Sequence, residues 1–500
     1  MKKTTRTCAR AFFACACALA AFAPSATGLA NEPRPMRGTY FATHFGNWYE
    51  KASERELADY VRELKHWGCN SVSAWFDMHD FTGVDDPRAA KRLDRIRTIY
   101  RLCAANGIET GMLVLANEAF KSSPENLRAD WRAGKNGYTS NLVGHYHVEI
   151  CPSRPGGVDA ILAARKAVFS AFAETPPARI VIFPYDQGGC TCAACAPWGA
   201  NGYLRAAEPV AGLARRTFPG VGIDLSTWRF DAFGPALGEW RGLAGRRDAV
   251  RKWADRLFVA ADQLARLESD PILPYFPMTE ISMARMLPWG GFGANPRPAE
   301  IERVLLRHQK SEGAMPYSEG VYEDLNKCVG LALLSGRAAT AREATELYAA
   351  RYFGEATRAA VAEAAELLEK NQGHEAFVVQ DGRRFDFYSL AAVDPARPWR
   401  LELSAGNLDA ACAARALGLL REAGKSMTPE ARASWRWRIL LLRAEIDAAL
   451  AQGAKLDALE PQFDELAAIY RVDGDTLPCL VPPTRKRLRP GPDVLRHGAF

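Results

Sequence analysis

Three carboxylates stand where short apolar runs stop. Asp186 follows Arg179-Ile-Val-Ile-Phe-Pro-Tyr185 and leads at once into Gln187-Gly-Gly-Cys190-Thr-Cys192-Ala-Ala-Cys195. Glu280 follows Phe276-Pro-Met-Thr279 and precedes the loop Pro288-Trp289-Gly-Gly-Phe292-Gly-Ala-Asn295-Pro296. Glu319 follows Ala314-Met-Pro-Tyr317-Ser318 and precedes Gly320-Val-Tyr-Glu323-Asp324-Leu-Asn326-Lys327. An apolar run that ends in an acid and a Gly or aromatic loop reads as a buried parallel strand delivering a side chain to a pocket rim. Convergent carboxylates among aromatics suit glycoside hydrolysis. One acid protonates the leaving oxygen, and a second carboxylate acts as nucleophile or as base toward water. Apolar surroundings raise the pKa of the first, while hydrogen-bond donors keep the second ionised. Asp186 and Glu319 are the expected pair, with Glu280 assisting or replacing one of them. Each residue also has a plainer reading: a turn cap for Asp186, a helix-start acid for Glu319, a salt-bridge partner of Arg285 or Arg229 for Glu280.

Other polar residues share such positions: His44 and Asn47; Asp77, His79 and Asp80; Asn117 and Glu118; Trp228 and Arg229; Glu323, Asp324 and Asn326. His44, Tyr185, Trp228, Trp289, Tyr317 and Asn326 are the expected pocket lining, since aromatic faces stack on sugar rings. For any single Trp, core burial is the competing reading. Cys190, Cys192 and Cys195 form C-x-C-x-x-C and, with Cys151, could make a four-thiolate zinc site. A second C-x-x-C pair is missing, so the preferred expectation is a Cys151–Cys190 disulfide bracing the loop behind Asp186, with no metal assigned and no cofactor required.

The elements that would hold these residues alternate. Strands are expected near Thr39–Phe45, Asn70–Asp77, Gly111–Glu118, Arg179–Tyr185, Gly222–Trp228, Pro271–Pro277 and Ala314–Glu319. Amphipathic helices fall between them at Ser53–Trp67, Arg88–Ala105, Gly157–Glu174, Tyr203–Phe218, Trp253–Leu267 and Glu300–Glu312. This alternation predicts an α/β fold, a (β/α)8 TIM barrel over residues 36–336. Lys121–Ser153 is too long for an ordinary loop and would lie over the barrel mouth. From Ala338 onward Ala, Leu, Glu and Arg recur at helical spacing, predicting an all-α helical domain over 338–472 and a Pro/Arg-rich tail over 473–500.

Residues 1–30 read as a signal peptide: a basic start, an apolar run from Ala11 to Ala23, then small residues. The run is too short to span a membrane, and no later segment is apolar enough to do so. The formal charge of +6 is carried largely by this leader and the tail, so the folded body offers no electrostatic footprint for nucleic acid. Of twelve cysteines, Cys8, Cys15 and Cys17 leave with the leader, and export permits disulfides without requiring them. Oligomeric state is not readable from these features.

Three segments carry a resemblance: Tyr185-Asp-Gln-Gly-Gly-Cys-Thr-Cys-Ala-Ala-Cys-Ala-Pro-Trp-Gly199, Glu280-Ile-Ser-Met283 with Pro288–Pro296, and Tyr317–Lys327. Over roughly residues 36–370 the chain resembles secreted TIM-barrel glycoside hydrolases of the family 20 and family 67 kind. It is more similar still to bacterial relatives with a strand-Asp-Gly-Gly-Cys-x-Cys-x-x-Cys motif. Family 67 α-glucuronidases place an acid on a middle strand and two carboxylates on later strands, with a helical domain after the barrel. Asp186, Glu280 and Glu319 occupy comparable places in order, although this chain has Asp where that family has a Glu acid. It also has Asp186-Gln187 where family 20 enzymes carry adjacent Asp-Glu, which argues against a substrate-assisted mechanism. The resemblance implies an exported glycosidase acting on a carbohydrate substrate. Two rivals remain: a sugar-binding barrel without turnover, and a zinc hydrolase using the cysteine cluster.

Overall fold

In the computed structural model the described residues run from 33 to 473, apart from 44–45, 143–147, 186–187, 261–262, 264–266, 268–270, 282–293, 319–322, 372–375, 386–392, 395–396 and 404–407. Eight parallel strands close into a barrel in chain order. They are β1 (Met36–Phe41), β2 (Ser71–Trp75), β3 (Glu109–Leu115), β4 (Arg179–Phe183), β5 (Gly222–Ser226), β6 (Arg256–Ala260), β7 (Tyr275–Glu280) and β8 (Gly313–Tyr317). The ring closes where Met36 pairs with Gly313. The expected TIM barrel with a helical region after it is therefore the observed architecture.

One element differs from expectation. The helix expected over Trp253–Leu267 begins instead as β6, whose Leu-Phe-Val core is buried on both faces between β5 and β7. A five-residue apolar run buried on both sides carries no alternation to separate it from a helix turn.

Local signals set the helix starts. Ser53 accepts from the Glu56 amide while the Glu56 carboxylate returns to the Ser53 amide, fixing the helix Glu54–His66. Asp86 caps Pro87–Ala105, with proline in the first turn, where its missing N–H has no intrahelical partner to lose.

Two apolar layers result. Between strands and helices runs a continuous core. Inside the barrel lies a second cluster containing Tyr40, Trp75, Leu115, Phe183, Phe258, Phe276, Met278 and Met315. At the N-terminal end of the strands the lumen is sealed by charge: Arg179 Nε donates to Asp224 at 2.6 Å and Arg256 Nε at 3.1 Å. That leaves the C-terminal rim for ligands, where this fold keeps its working loops.

After the barrel come helices at Asp324–Leu334, Ala341–Phe353, Arg358–Lys370, Ala410–Lys425, Trp435–Ala451 and Glu460–Tyr470. A three-stranded antiparallel sheet, Ala376–Gln380 flanked by Arg383–Phe385 and Arg400–Leu403, interrupts them and was not expected. Arg443 joins the parts. Wholly buried, it donates to Ala294 O at 2.7 Å on the barrel side, to Leu368 O at 3.3 Å, and to Asp447 at 2.9 Å. Among the described residues no helix is long and apolar enough to cross a membrane. The leader and the tail after Asp473 lie outside the described residues.

Candidate active site

The floor of the C-terminal rim is aromatic. Tyr40 and Tyr317 stack with centroids 4.8 Å apart, and Trp75 meets Phe183 at 5.7 Å. Trp228 and Tyr317, both expected to line the pocket, are half-buried against this lumen cluster. Trp228 is fixed where β5 turns away: its amide donates to Ser226 Oγ at 3.1 Å, and Arg229 and Asp231 follow at φ 57 and φ 61.

Of the three expected catalytic acids, Glu280 is the last residue of β7 and pairs in register with Tyr317 of β8. Asp186 and Glu319 lie outside the described residues, as do His44 and Trp289. The residues on either side of Asp186 in the chain are held by a dense set of hydrogen bonds. On its N-terminal side Tyr185 is wholly buried, and a relay of hydrogen bonds runs from Trp198 N–H to Tyr138 O–H (2.9 Å), to Tyr185 O–H (3.3 Å), to the Glu239 carboxylate. Glu239 also accepts from the amides of Gly199 and Asp231, each at 2.7 Å. Trp198 Nε1 donates to Pro184 O at 2.6 Å. On the C-terminal side Asn117 clasps Gly189, accepting from its amide and donating to its carbonyl at 3.0 Å each. Gly189 sits at φ 121, and a Cβ there would fall 2.5 Å from Leu142 Cδ1. A Cβ on Gly188 would meet Pro184 O at 2.9 Å, so both glycines are required by close approach.

Two expectations are corrected. Tyr185 does not line an open pocket; its hydroxyl is spent on Glu239 inside the core. Asn326 is equally enclosed, accepting from Arg297 N at 2.7 Å and donating to Asn295 O at 2.6 Å, which pins the chain entering the helix Pro298–Arg307. Glu323 and Asp324 open the helix Asp324–Leu334 but are buried: Asp324 accepts from Arg436 at 2.6 Å and Tyr348 at 2.9 Å, and Glu323 accepts from Ser318 at 3.1 Å.

The ends of β2 and β3 carry a buried ionic cluster. His79 Nδ1 lies 2.8 Å from Glu118, Arg165 is 3.6 Å from the same carboxylate, and Asp77 and Glu149 are buried nearby. Burial alone would lower the His79 pKa, but its bond to Glu118 and the charges of Asp77 and Asp80 push it up to about 9. Burial pushes the Asp77 carboxyl well above its ordinary range and that of Glu149 up to about 8. An imidazolium held among carboxylates satisfies itself, and the cluster ties the β2 rim to the β3 rim.

The cysteine cluster corrects a third expectation. Cys151, Cys190, Cys192 and Cys195 are all free thiols, so the expected Cys151–Cys190 disulfide is not formed. Their sulfurs nevertheless converge within 4.8 Å of one another.

No family model matches the sequence, and no curated protein sequence matches it. Solved structures are similar in fold. One is a family 138 glycoside hydrolase targeting pectin rhamnogalacturonan II, at 10% identity and TM-score 0.51, covering 92% of this chain and 65% of that one. Another is a family 115 4-O-methyl-α-glucuronidase with specificity for decorated arabinogalactans, at 9% identity and TM-score 0.52, covering 92% of this chain and 62% of that one. The chain thus spans less than two thirds of the length of either protein. These likenesses bear on the fold alone: the closed parallel TIM barrel is an architecture this chain shares with those two glycoside hydrolases.

Proposed function

We propose that the protein is an exported glycosidase that hydrolyses a glycosidic bond by paired-carboxylate catalysis, with Asp186, Glu280 and Glu319 as its acids. The observation that supports this most is the aromatic floor of Tyr40, Trp75, Phe183, Trp228 and Tyr317 at the rim where β4, β7 and β8 lead into those acids. Sugar C–H faces stack on such rings, and an apolar floor keeps one carboxyl protonated at neutral pH while a better solvated one stays ionised. The protonated acid gives its proton to the leaving oxygen, and the second carboxylate attacks the anomeric carbon or activates water. Export rests on the leader, and N-terminal sequencing of the protein recovered outside the cytoplasm tests it.

Turnover is tested on a panel of chromogenic glycosides that includes uronic and sialic acids, followed by decorated plant polysaccharides. Asp186→Asn, Glu280→Gln and Glu319→Gln are compared with the parent. Loss of a general acid or nucleophile lowers kcat by on the order of 10²–10⁴-fold. Near-parental turnover in all three variants would remove the assignment. Glycan binding without any turnover by the parent would make the protein a sugar-binding barrel instead.

A further inference from the structure

We infer that Cys151, Cys190, Cys192 and Cys195 form a structural zinc site that fastens the long insertion after β3 to the loop after β4. The geometry carries it. Cys151 Sγ lies 3.8 Å from Cys192 Sγ and 3.7 Å from Cys195 Sγ, and all four sulfurs fall within 4.8 Å of one another. Zinc–sulfur bonds of about 2.3 Å at the tetrahedral angle place neighbouring sulfurs about 3.8 Å apart, whereas a disulfide needs about 2.05 Å. The two distances from Cys151 Sγ match that spacing, and all four sulfurs are close enough to share one ion.

The surroundings suit thiolates. The Asp130 amide donates to Cys190 Sγ at 3.4 Å. Ser153 Oγ is 3.0 Å from Cys195 Sγ and itself accepts from the Arg205 guanidinium, so the hydroxyl hydrogen is left to point at the sulfur. Zinc enters as a dication and the thiols bind as thiolates, releasing their protons to solvent, which leaves the site with two net negative charges. Arg205 stands behind Ser153 to offset them. Such donors to the sulfurs are the outer layer that tetrathiolate sites use. Cys151, Cys190 and Cys195 are buried, and Cys192 is half-buried.

Four protein ligands leave no open coordination position, so this zinc holds structure and does not activate water. What it holds follows from the chain. Cys151 closes the insertion, and Cys190 follows Gly189, the residue that Asn117 clasps. Two further bonds run the same way, from Thr191 N to Asp130 O at 2.5 Å and from Asn136 Nδ2 to Thr191 O at 2.9 Å. The inference does not depend on what the barrel mouth hydrolyses.

The full mature chain, purified without added metal and passed over a chelating resin, is analysed for metal and for free thiols. About one zinc per chain is expected, with four thiols unreactive until a mercurial displaces the metal. Cobalt substitution is expected to give the intense visible bands of a tetrahedral thiolate complex. The double variant Cys192→Ser/Cys195→Ser lowers bound zinc to less than about a tenth of an equivalent, while Cys412→Ser, on a distant helix, keeps it at about one. Should the variant fail to fold, the parent's zinc and thiol counts decide alone. Absence of stoichiometric metal, with Cys151 disulfide-linked to a loop cysteine in non-reduced peptides, would overturn the proposal. One iron per chain with its thiolate absorption would overturn it in favour of an iron tetrathiolate.

Discussion

At the scale of single residues, Glu239 shows how the rim is held from behind. It lies 54 positions from Tyr185 and collects three donors: the Tyr185 hydroxyl and the amides of Gly199 and Asp231. Removing an acceptor strands each buried donor at about 1–3 kcal/mol. Glu239→Ala is therefore expected to lower stability by about 3–5 kcal/mol. Glu239→Gln, which keeps one carbonyl oxygen, costs less than half of that. Urea denaturation measures both, and equal stability for Glu239→Ala and the parent would contradict the brace. No sequence signal points to Glu239, because two of its three partners, Tyr185 and Gly199, come from the loop after β4, 54 and 40 positions away. Tyr185 and Asn326 were misread for a related reason. A polar side chain beside a strand-end acid has the same local pattern whether it meets a ligand or an anchor, and only the fold decides. Trp228 and Tyr317 continue the parity of the lumen-facing residues of β5 and β8, which is why both pack against the lumen cluster.

At the scale of elements, the seven strands anticipated from sequence each combine an apolar run with a Gly, Asn or Pro boundary. β6 lacks that boundary: Arg256–Ala260 runs on into Ala-Asp-Gln-Leu-Ala-Arg-Leu267, a helix-favouring composition that hides a short strand. The loop after β4 was legible in its glycines but not in its restraints. Gly189 combines a left-handed φ of 121 with contact against Leu142. Gly189→Ala is expected to cost about 1–3 kcal/mol and to lower turnover, since the strain falls three residues from Asp186. Thermal denaturation and the glycoside assay check the two halves of this expectation, and an unchanged melting temperature would contradict the first. A C-x-C-x-x-C and a lone upstream cysteine fit either disulfides or a metal; that the four sulfurs lie unpaired and within 4.8 Å of one another comes from the fold and not from their spacing in the chain.

At the scale of the molecule, buried titratable groups set a pH dependence. Glu149, facing His79, Glu118 and Arg128, is pushed by burial up to about 8 from an ordinary 4.5. Between those values the folded state holds a proton that the unfolded chain releases, so stability falls as pH rises through that window. His79, raised to about 9, adds the same slope above its ordinary 6.5. Burial raises Glu323 to about 7, which adds to the decline above pH 4.5, and lowers Lys327 to about 8, which acts in the opposite direction only above that pH. On the acid side Glu63 is lowered to about 2 by Arg351 and Tyr352 against the cost of burial, and its contribution is lost as pH drops below 4.5. Stability is expected to peak near pH 5 and decline toward pH 8 by on the order of a few kcal/mol. Glu149→Gln flattens the decline. Denaturant midpoints across this range test it, and a variant with the parent's slope would clear Glu149 of the effect.

Arg443 has one more consequence, for modularity. Its guanidinium is shared between the carbonyl of Ala294 on the barrel side and those of Leu368 and Asn371 in the helical region, and a single apolar core runs from Phe41 to Tyr470 without a seam. The helical region is therefore not an accessory that could be exchanged between enzymes like an appended binding module. Barrel and helices have to be inherited, and engineered, as one piece.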